Sequence, residues 1–492
     1  MATHRPREEL GKVVSRYGRE IVADPRRCEG LLRDTCSSCD REIFILASVH
    51  KKHIPEELLA LSPSVPKEIL VRRLTARVVQ ELGFAEEHAL WAVVSWALAL
   101  SAITPEDAKV LERKAGKRRR SEGIAPSAPG IPFPPESLIV SPAGDGNFRT
   151  ISEAIAAAVP GARIFVRPGI YREALKIDRS LEIFGEGAAA GIVLEGDEGT
   201  VIQVHADTFT LHSVTVRGST GQEAASRLVM IHRGSSLLED CALMTGDTGI
   251  AIGGSRTRCI LRRLTLHAFR TSAVSLSARA SAHLDRCRIS SSRSGVTLAD
   301  GAEAGIQGCH IEGGHYGIEF GSRSGGDLEG SEITRYAYAG ILVREGADPA
   351  VKKCSIHQGN FGIEVSDRGK GVFEDCDIAG NARGFFITRS GNPLVRRCTV
   401  HDGQFGVGAS EKGKGIFEEC RITGNLYAGV SARGGSHPRL TKCKVTGNRD
   451  VGVWVYQKAM ATLEGCDLSG NARGPFTIEA GSRVTKKDTR EG

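Results

Sequence analysis

The feature that most restricts what this chain can fold into is a repeat. Cys287, Cys309, Cys354, Cys376, Cys398, Cys420, Cys443 and Cys466 follow one another at 22 or 23 residues, with one step of 45 that Ser331 divides. Cys241 stands two steps before Cys287, with Leu264 between them. A second series keeps pace: Gly295, Gly317, Gly340, Gly362, Gly384, Gly406, Gly429 and Gly452 each lie 14 residues before the matching Cys or Ser. Two locked periods over so many copies define a stacked array, in which one domain grows by adding units.

One unit, Gly362 to Asn381, holds two alternating runs, Gly-Ile-Glu-Val and Val-Phe-Glu-Asp-Cys-Asp-Ile. Alternation predicts short strands with Ile363, Val365, Cys376 and Ile378 inside and Glu364 and Asp377 in water. Gly-Asn pairs at Gly380, Gly424, Gly447 and Gly470 predict turns. A unit this small cannot bury its own apolar face, so the units must stack in parallel, one strand spacing of about 4.8 Å per coil. The composition agrees: 59 glycines and only 5% aromatic residues suit tight turns around a narrow core. The aligned cysteines are then compact buried fillers. On that reading Cys376→Ser costs about 1–3 kcal/mol where its hydroxyl lacks a partner, although Ser331 already occupies the ladder once and a local hydrogen bond can satisfy such a group; Cys376→Ala costs less than about 2 kcal/mol.

These coils resemble right-handed parallel β-helix proteins of the pectin lyase-like group. The segment Val140 to Ile155, followed by Pro160 to Glu173, resembles the opening of pectin methylesterases. The resemblance implies a mainly β fold over residues 138–482, a right-handed single-stranded parallel β-helix. It also implies a capping helix with Ile151, Ala154, Ile155 and Ala158 as its apolar face. The esterase catalytic pair does not carry over: Gly246-Asp247-Thr248 lacks the glutamine, and Thr265 to Ser272 lacks an aspartate.

The position two after each ladder glycine points away from the core and holds Glu319, Leu342, Glu364, Phe386 and Trp454, among others. Glu319 and Glu364 lie two coils apart, about 9–10 Å. This is near the upper spacing of an inverting glycosidase pair, about 6.5–9.5 Å. Arg344 falls between them in the chain, and these three are the catalytic candidates. Phe386, Trp454 and Tyr456 are candidate binding aromatics.

Residues 1–103 show helical periodicity instead, with candidate helices Arg7–Val22, Pro25–Thr35, Arg41–His50, Pro55–Leu61, Pro66–Leu82 and Ala85–Ser101. Leu31 to Asp34, Arg41 to Ile43 and Trp91 to Ala99 resemble an adaptor-like helical module of bacterial multidomain proteins. Cys36, Cys39, His50 and His53 have a zinc-like order, although the histidine spacing is short. Residues 104–137 read as a basic, proline-rich linker and 483–492 as a charged tail. The net charge of +7 is small for 492 residues, which makes nucleic acid an improbable partner. The N-terminus has no apolar leader, and no segment is long enough to span a bilayer. The expectation is a cytoplasmic chain, without cofactor or membrane association. Its function is expected to be non-enzymatic: the bundle docks a protein, and the β-helix presents a rigid surface to protein or glycan. The alternative is a carbohydrate-active enzyme, a polysaccharide hydrolase or lyase.

Overall fold

A computed structural model describes residues 5–22, 24–36, 39–50, 52, 54–59, 71, 74–75, 77–78, 86–109, 111, 138–196, 199–218, 227–290 and 293–492. The chain divides into two compact units, Met1–Ile131 and Pro132–Gly492.

The first unit is helical. Its helices are Arg5–Tyr17, Pro25–Thr35, Asp40–His50, Ile54–Leu59 and Glu86–Ala99, with a 3-10 turn at Gly18–Ile21. Asp24 starts the second helix by accepting the Arg27 N–H at 3.0 Å, and Pro25 opens it without an N–H to satisfy. Glu86–Ala99 is the central element, as its apolar sequence requires: Ala89, Ala92, Val93, Val94, Trp96 and Ala97 are buried, and the Trp96 indole donates to the Leu46 carbonyl at 3.0 Å. The expected Pro66–Leu82 helix falls mostly outside the described residues, although Val71, Leu74 and Val78 are buried. The expected linker falls outside them at 110 and 112–137.

The second unit is a right-handed parallel β-solenoid of about 15 turns. Each regular coil carries three strands. In one coil these are Phe361–Val365, Val372–Glu374 and Asp377–Ala379, each pairing in parallel with its equivalent one coil before and one coil after. The inward residues form one continuous core from Leu138 to Leu468. The helix Ile151–Ala157 contributes Ile151, Ala154 and Ile155 to that core, with Ala158 just beyond its end. A capping box between Thr150 and Glu153 starts this helix, and the Glu173 carboxylate accepts the N–H groups of Ile151 and Ser152 at 2.8 Å each.

The repeat periods have local physical causes. The residue before each ladder cysteine is left-handed: φ is 54° at Asp375, 49° at Arg397 and 56° at Glu419. That residue makes a tight corner between the second and third strands, and the cysteine side chain fills its inner side. The thiol is more than a filler. Cys376 Sγ lies 3.2 Å from the Glu374 carbonyl, and the Cys376 N–H donates to Cys398 Sγ at 3.5 Å. Ser331 makes the same bonds with oxygen, donating to Glu329 O at 3.2 Å and accepting the Cys309 N–H at 3.1 Å. Of the two outcomes open for serine in the ladder, Ser331 shows the one in which local hydrogen bonds satisfy the hydroxyl.

The ladder glycines answer to close packing and not to unusual φ. A Cβ on Gly362 would lie 2.6 Å from the Gly384 carbonyl and 2.6 Å from Ile378 Cγ2. In the Gly-Asn pairs only the glycine supplies the left-handed turn, with φ of 62° at Gly380 and 70° at Gly424. The asparagines turn inward. Asn425 Nδ2 donates to Asn448 Oδ1 at 2.9 Å, and Asn448 Nδ2 donates to Asn471 Oδ1 at 2.8 Å, all three residues being buried.

Candidate active site

The first strand of each coil lines up a set of outward columns, and the sequence period fixes which residues meet. In the central column Glu319 pairs with Leu342, which pairs with Glu364, then Phe386, Gly408, Ser431 and Trp454. A flanking column, one residue before each ladder glycine, runs Tyr316, Ala339, Phe361, Arg383, Phe405. The two carboxylates therefore sit on one face, two coils apart, as their spacing predicts.

Their surroundings differ from that expectation. Glu364 does not face water: it is 3% exposed, and Glu319 is 9% exposed. A second apolar cluster outside the solenoid core covers them, made of Leu342 and Phe361 with Tyr316, Tyr338 and Phe386 packed against it. Phe361 and Phe386 stack with centroids 4.8 Å apart, and Tyr338 meets Phe361 edge-on at 5.0 Å. Flat side chains recur at the strand spacing here, so stacking along the coil axis buries whatever lies beneath them.

The two carboxylates have unlike environments. Glu319 accepts from Arg344 Nη2 at 2.6 Å. Arg344 also reaches Glu345 at 3.1 Å, so its charge is committed to two carboxylates. Burial pushes the Glu364 pKa up, against the opposing pull of the Tyr338 hydroxyl, the Arg389 guanidinium and the Ser366 hydroxyl. Arg389 spends itself mainly on Asp367, at 2.7 Å, and approaches Glu364 only to 4.0 Å. Among the described residues, no hydrogen bond of normal geometry reaches Glu364 Oε2. One face thus holds an ion-paired carboxylate and a desolvated one, the division of environments that separates a base from an acid.

The other candidates fall elsewhere. Trp454 and Tyr456 stack at 4.6 Å, and the Trp454 indole donates to Glu479 at 3.2 Å. They lie on the same face as Phe386, farther along the coil axis. Asp247 is tied to Arg270 at 2.5 Å. In the helical unit Cys36 and Cys39 bring their sulfurs to 3.4 Å, whereas His50 Nε2 lies 2.7 Å from the Val22 carbonyl and its ring packs on Trp96. His53 lies outside the described residues. Among the described residues, His212, Glu239 and Asp240 form the one group whose ligand atoms cluster within 4.8 Å. Two arginines already pair with its carboxylates: Arg263 reaches Glu239 at 2.9 Å and Asp240 at 2.6 Å, and Arg262 reaches Glu239 at 3.2 Å.

Sequence reasoning missed Tyr316, Tyr338, Phe361 and Arg383. Three of them were readable in the column one residue before the ladder glycines. Tyr338 precedes that column by one residue and was not, because it reaches the face through packing.

A family model described as "Right handed beta helix region" matches residues 294–425 and 395–490. The matched region is a right-handed parallel β-helix repeat, as the solenoid's geometry shows. A curated relative, "Probable pectinesterase 56" of Arabidopsis thaliana, is 29% identical over 123 residues, covering 20% of this chain and 42% of that protein. The match therefore spans less than half of the relative's length. Similar solved structures include the periplasmic alginate epimerase AlgG, at 13% identity and a TM-score of 0.43 over 67% of this chain and 76% of that one. Another is the A-module of the Azotobacter vinelandii mannuronan C-5 epimerase AlgE4, at 12% identity and a TM-score of 0.40 over 68% and 93%. A third is the GH87 alpha-1,3-glucanase of Streptomyces thermodiastaticus, at 15% identity and a TM-score of 0.42 over 74% and 71%.

The expectation of a non-enzymatic scaffold is corrected by these findings. The curated relative is named as an enzyme, and the face expected to be a charged solvated surface instead buries two unlike carboxylates under aromatic rings.

Proposed function

We propose that the chain is a carbohydrate-active enzyme, a polysaccharide hydrolase that works on the outward face around Glu319 and Glu364. The observation that carries this reading is Glu364, a buried carboxyl whose pKa is raised by desolvation, two strand steps from the ion-paired Glu319. In this reading Glu364 is the general acid and gives its proton to the glycosidic oxygen. Glu319 takes a proton from the water that attacks the anomeric carbon from the opposite side. The separation of about 9–10 Å leaves room for that water and predicts inversion. The half-buried rings of Tyr338 and Phe386 must swing aside for a sugar to reach Glu364, after which they stack on it. The curated relative supports polysaccharide as the substrate class. Hydrolysis is favoured over β-elimination because Arg344, the cation a lyase would use, is held by Glu319 and Glu345.

The test is release of reducing ends from a panel of polysaccharides by the full chain, Glu364→Gln and Glu319→Gln, with the product anomer read by NMR. Each substitution is expected to lower the rate about 10²-fold or more. Activity should fall on the alkaline side as Glu364 ionises, above the ordinary carboxylate range. Thermal unfolding separates lost chemistry from lost folding. A raised folded pKa means that ionised Glu364 costs stability above its unfolded pKa, so Glu364→Gln should raise Tm at pH 7 and leave it unchanged near pH 4. A wild-type rate in Glu364→Gln, or no turnover of any polysaccharide by the full chain, would overturn the proposal.

A further inference from the structure

Farther along the same face the central column opens at Gly408, two strand steps beyond Glu364. Its neighbours in register are Phe386 and Ser431, and a Cβ at position 408 would meet Phe386 Cδ2 at 3.3 Å. The missing side chain leaves a pocket walled by Arg383, Phe386, Phe405, Arg433 and Tyr456. Two of these wall residues are arginines. Arg344, Arg389, Arg396 and Arg397, on nearby coils, all pair with carboxylates. Arg383 and Arg433 pair with none among the described residues.

Arg383 is half-buried, with its guanidinium 5.6 Å from the Phe361 centroid and 5.5 Å from those of Phe386 and Phe405. Rings hold the side chain in place but do not neutralise it. Burial first, and then the field of Arg433, make its charge harder to keep. Two cations around one pocket, Arg383 held by rings and Arg433 at the rim, form a site in which an anion removes both penalties on Arg383. The Tyr456 ring, backed by Trp454 at 4.6 Å, adds a flat apolar wall.

We infer that this pocket is a subsite for an anionic sugar unit, its carboxylate or sulfate ester held between Arg383 and Arg433 and its ring packed on Phe386 and Tyr456. The inference rests on reading this face as a glycan groove, and it makes the substrate an acidic polysaccharide. The anion would lie about 9–10 Å from Glu364 along the coil axis, on a different unit from the one that is cleaved.

Calorimetric binding to the full chain carrying Glu364→Gln tests it, with three hexasaccharides: a polyuronate, the same oligomer with its carboxyls reduced, and a sulfated neutral oligomer. The expected result is that reducing the carboxyls weakens binding about tenfold or more. Arg433→Gln should produce the same loss for the charged oligomer and none for the reduced one, and raising the salt should mimic it. Arg433 is exposed, so its substitution leaves packing intact. Arg383→Gln should act in the same direction, with its Tm as a folding control. Arg433-dependent binding of the sulfated oligomer alone would identify the anion as a sulfate ester. Equal affinity for charged and reduced oligomers, or a charge preference indifferent to both arginines, would overturn the subsite. Charge-dependent binding without reducing-end release from the wild type would leave the subsite standing and sink the hydrolase. Turnover without charge preference would do the reverse.

Discussion

A ladder cysteine has to fill the inside of a left-handed corner and also meet the backbone groups that the corner strands. Sulfur does the first well and the second weakly, and Ser331 shows that oxygen can do both. This reverses the order that a purely apolar reading of Cys376 gives. In Cys376→Ser the new hydroxyl finds the Glu374 carbonyl and the Cys354 amide, as Ser331 finds Glu329 and Cys309, and the cost should stay within about 1 kcal/mol. Cys376→Ala leaves the Cys354 amide without an acceptor and opens a small cavity, so it should cost about 2 kcal/mol or more. Urea unfolding of the three proteins decides between the orders. Serine less stable than alanine would mean that the thiol's hydrogen bonds contribute nothing.

At the scale of one coil, two columns set the spacing: glycines where neighbouring backbones touch, and asparagines where the third strand turns back to the first. The asparagine column is preceded by Gly359 and interrupted at Gly403, yet its bonding continues through both. The N–H groups of those glycines donate to Asn381 at 3.0 Å and Asn425 at 3.1 Å, and the Tyr336 hydroxyl reaches Asn381 Oδ1 at 2.5 Å. Asn448 donates to Asn471 and accepts from both nitrogens of Asn425. Asn448→Asp keeps the acceptors, loses the donors and sets a carboxylate against the Asn471 and Ile422 oxygens, at a cost of about 3 kcal/mol or more at pH 7. The loss should shrink at low pH, where the acid is neutral. Equal loss at pH 7 and pH 4 would show that shape, not charge, matters in this column. This element also marks what the sequence reveals. Strand alternation, the inward Ile363, Val365 and Ile378, and the common face of Glu319 and Glu364 are legible because a period of 22 or 23 residues puts equivalent residues in register. The inward turn of the asparagines and the burial of Glu364 are not. Both depend on side chains from neighbouring coils, Asn471 and Tyr338 for example, and no single unit contains them.

In two stretches of the solenoid, the two residues before the ladder position form like-charged doublets whose sign alternates from coil to coil. Glu239-Asp240 is followed by Arg262-Arg263, and farther on Lys352-Lys353, Glu374-Asp375, Arg396-Arg397 and Glu418-Glu419 succeed one another. The strands bring these doublets into register, so Arg396 lies 2.7 Å from Glu418, Arg397 lies 2.8 Å from Asp375, and Arg263 bridges Glu239 and Asp240. A slip by one coil would put like charges together, so the pattern selects the stacking order as well as adding to its stability. Exposed pairs of this kind are individually weak, but their carboxylates share a direction. The hydrogen bond from Arg397 holds Asp375 below the usual carboxylate range, as the bond from Arg263 holds Asp240 and that from Arg217 holds Glu195. A depressed folded pKa gives stability that is complete above the unfolded value and is lost as pH falls through the folded one. Glu364 has the opposite sign, but it is one group against several. The Tm should therefore be flat near neutrality and fall steeply below about pH 4, and 1 M salt should reduce that fall by screening the pairs. Replacing Arg396 and Arg397 with glutamate sets three acidic doublets in a row. It should lower Tm at low salt, with the deficit narrowing in 1 M salt and again below about pH 4 as the carboxylates are protonated. A deficit that ignores both salt and pH would mean that these arginines act by packing their stems and not by their charge.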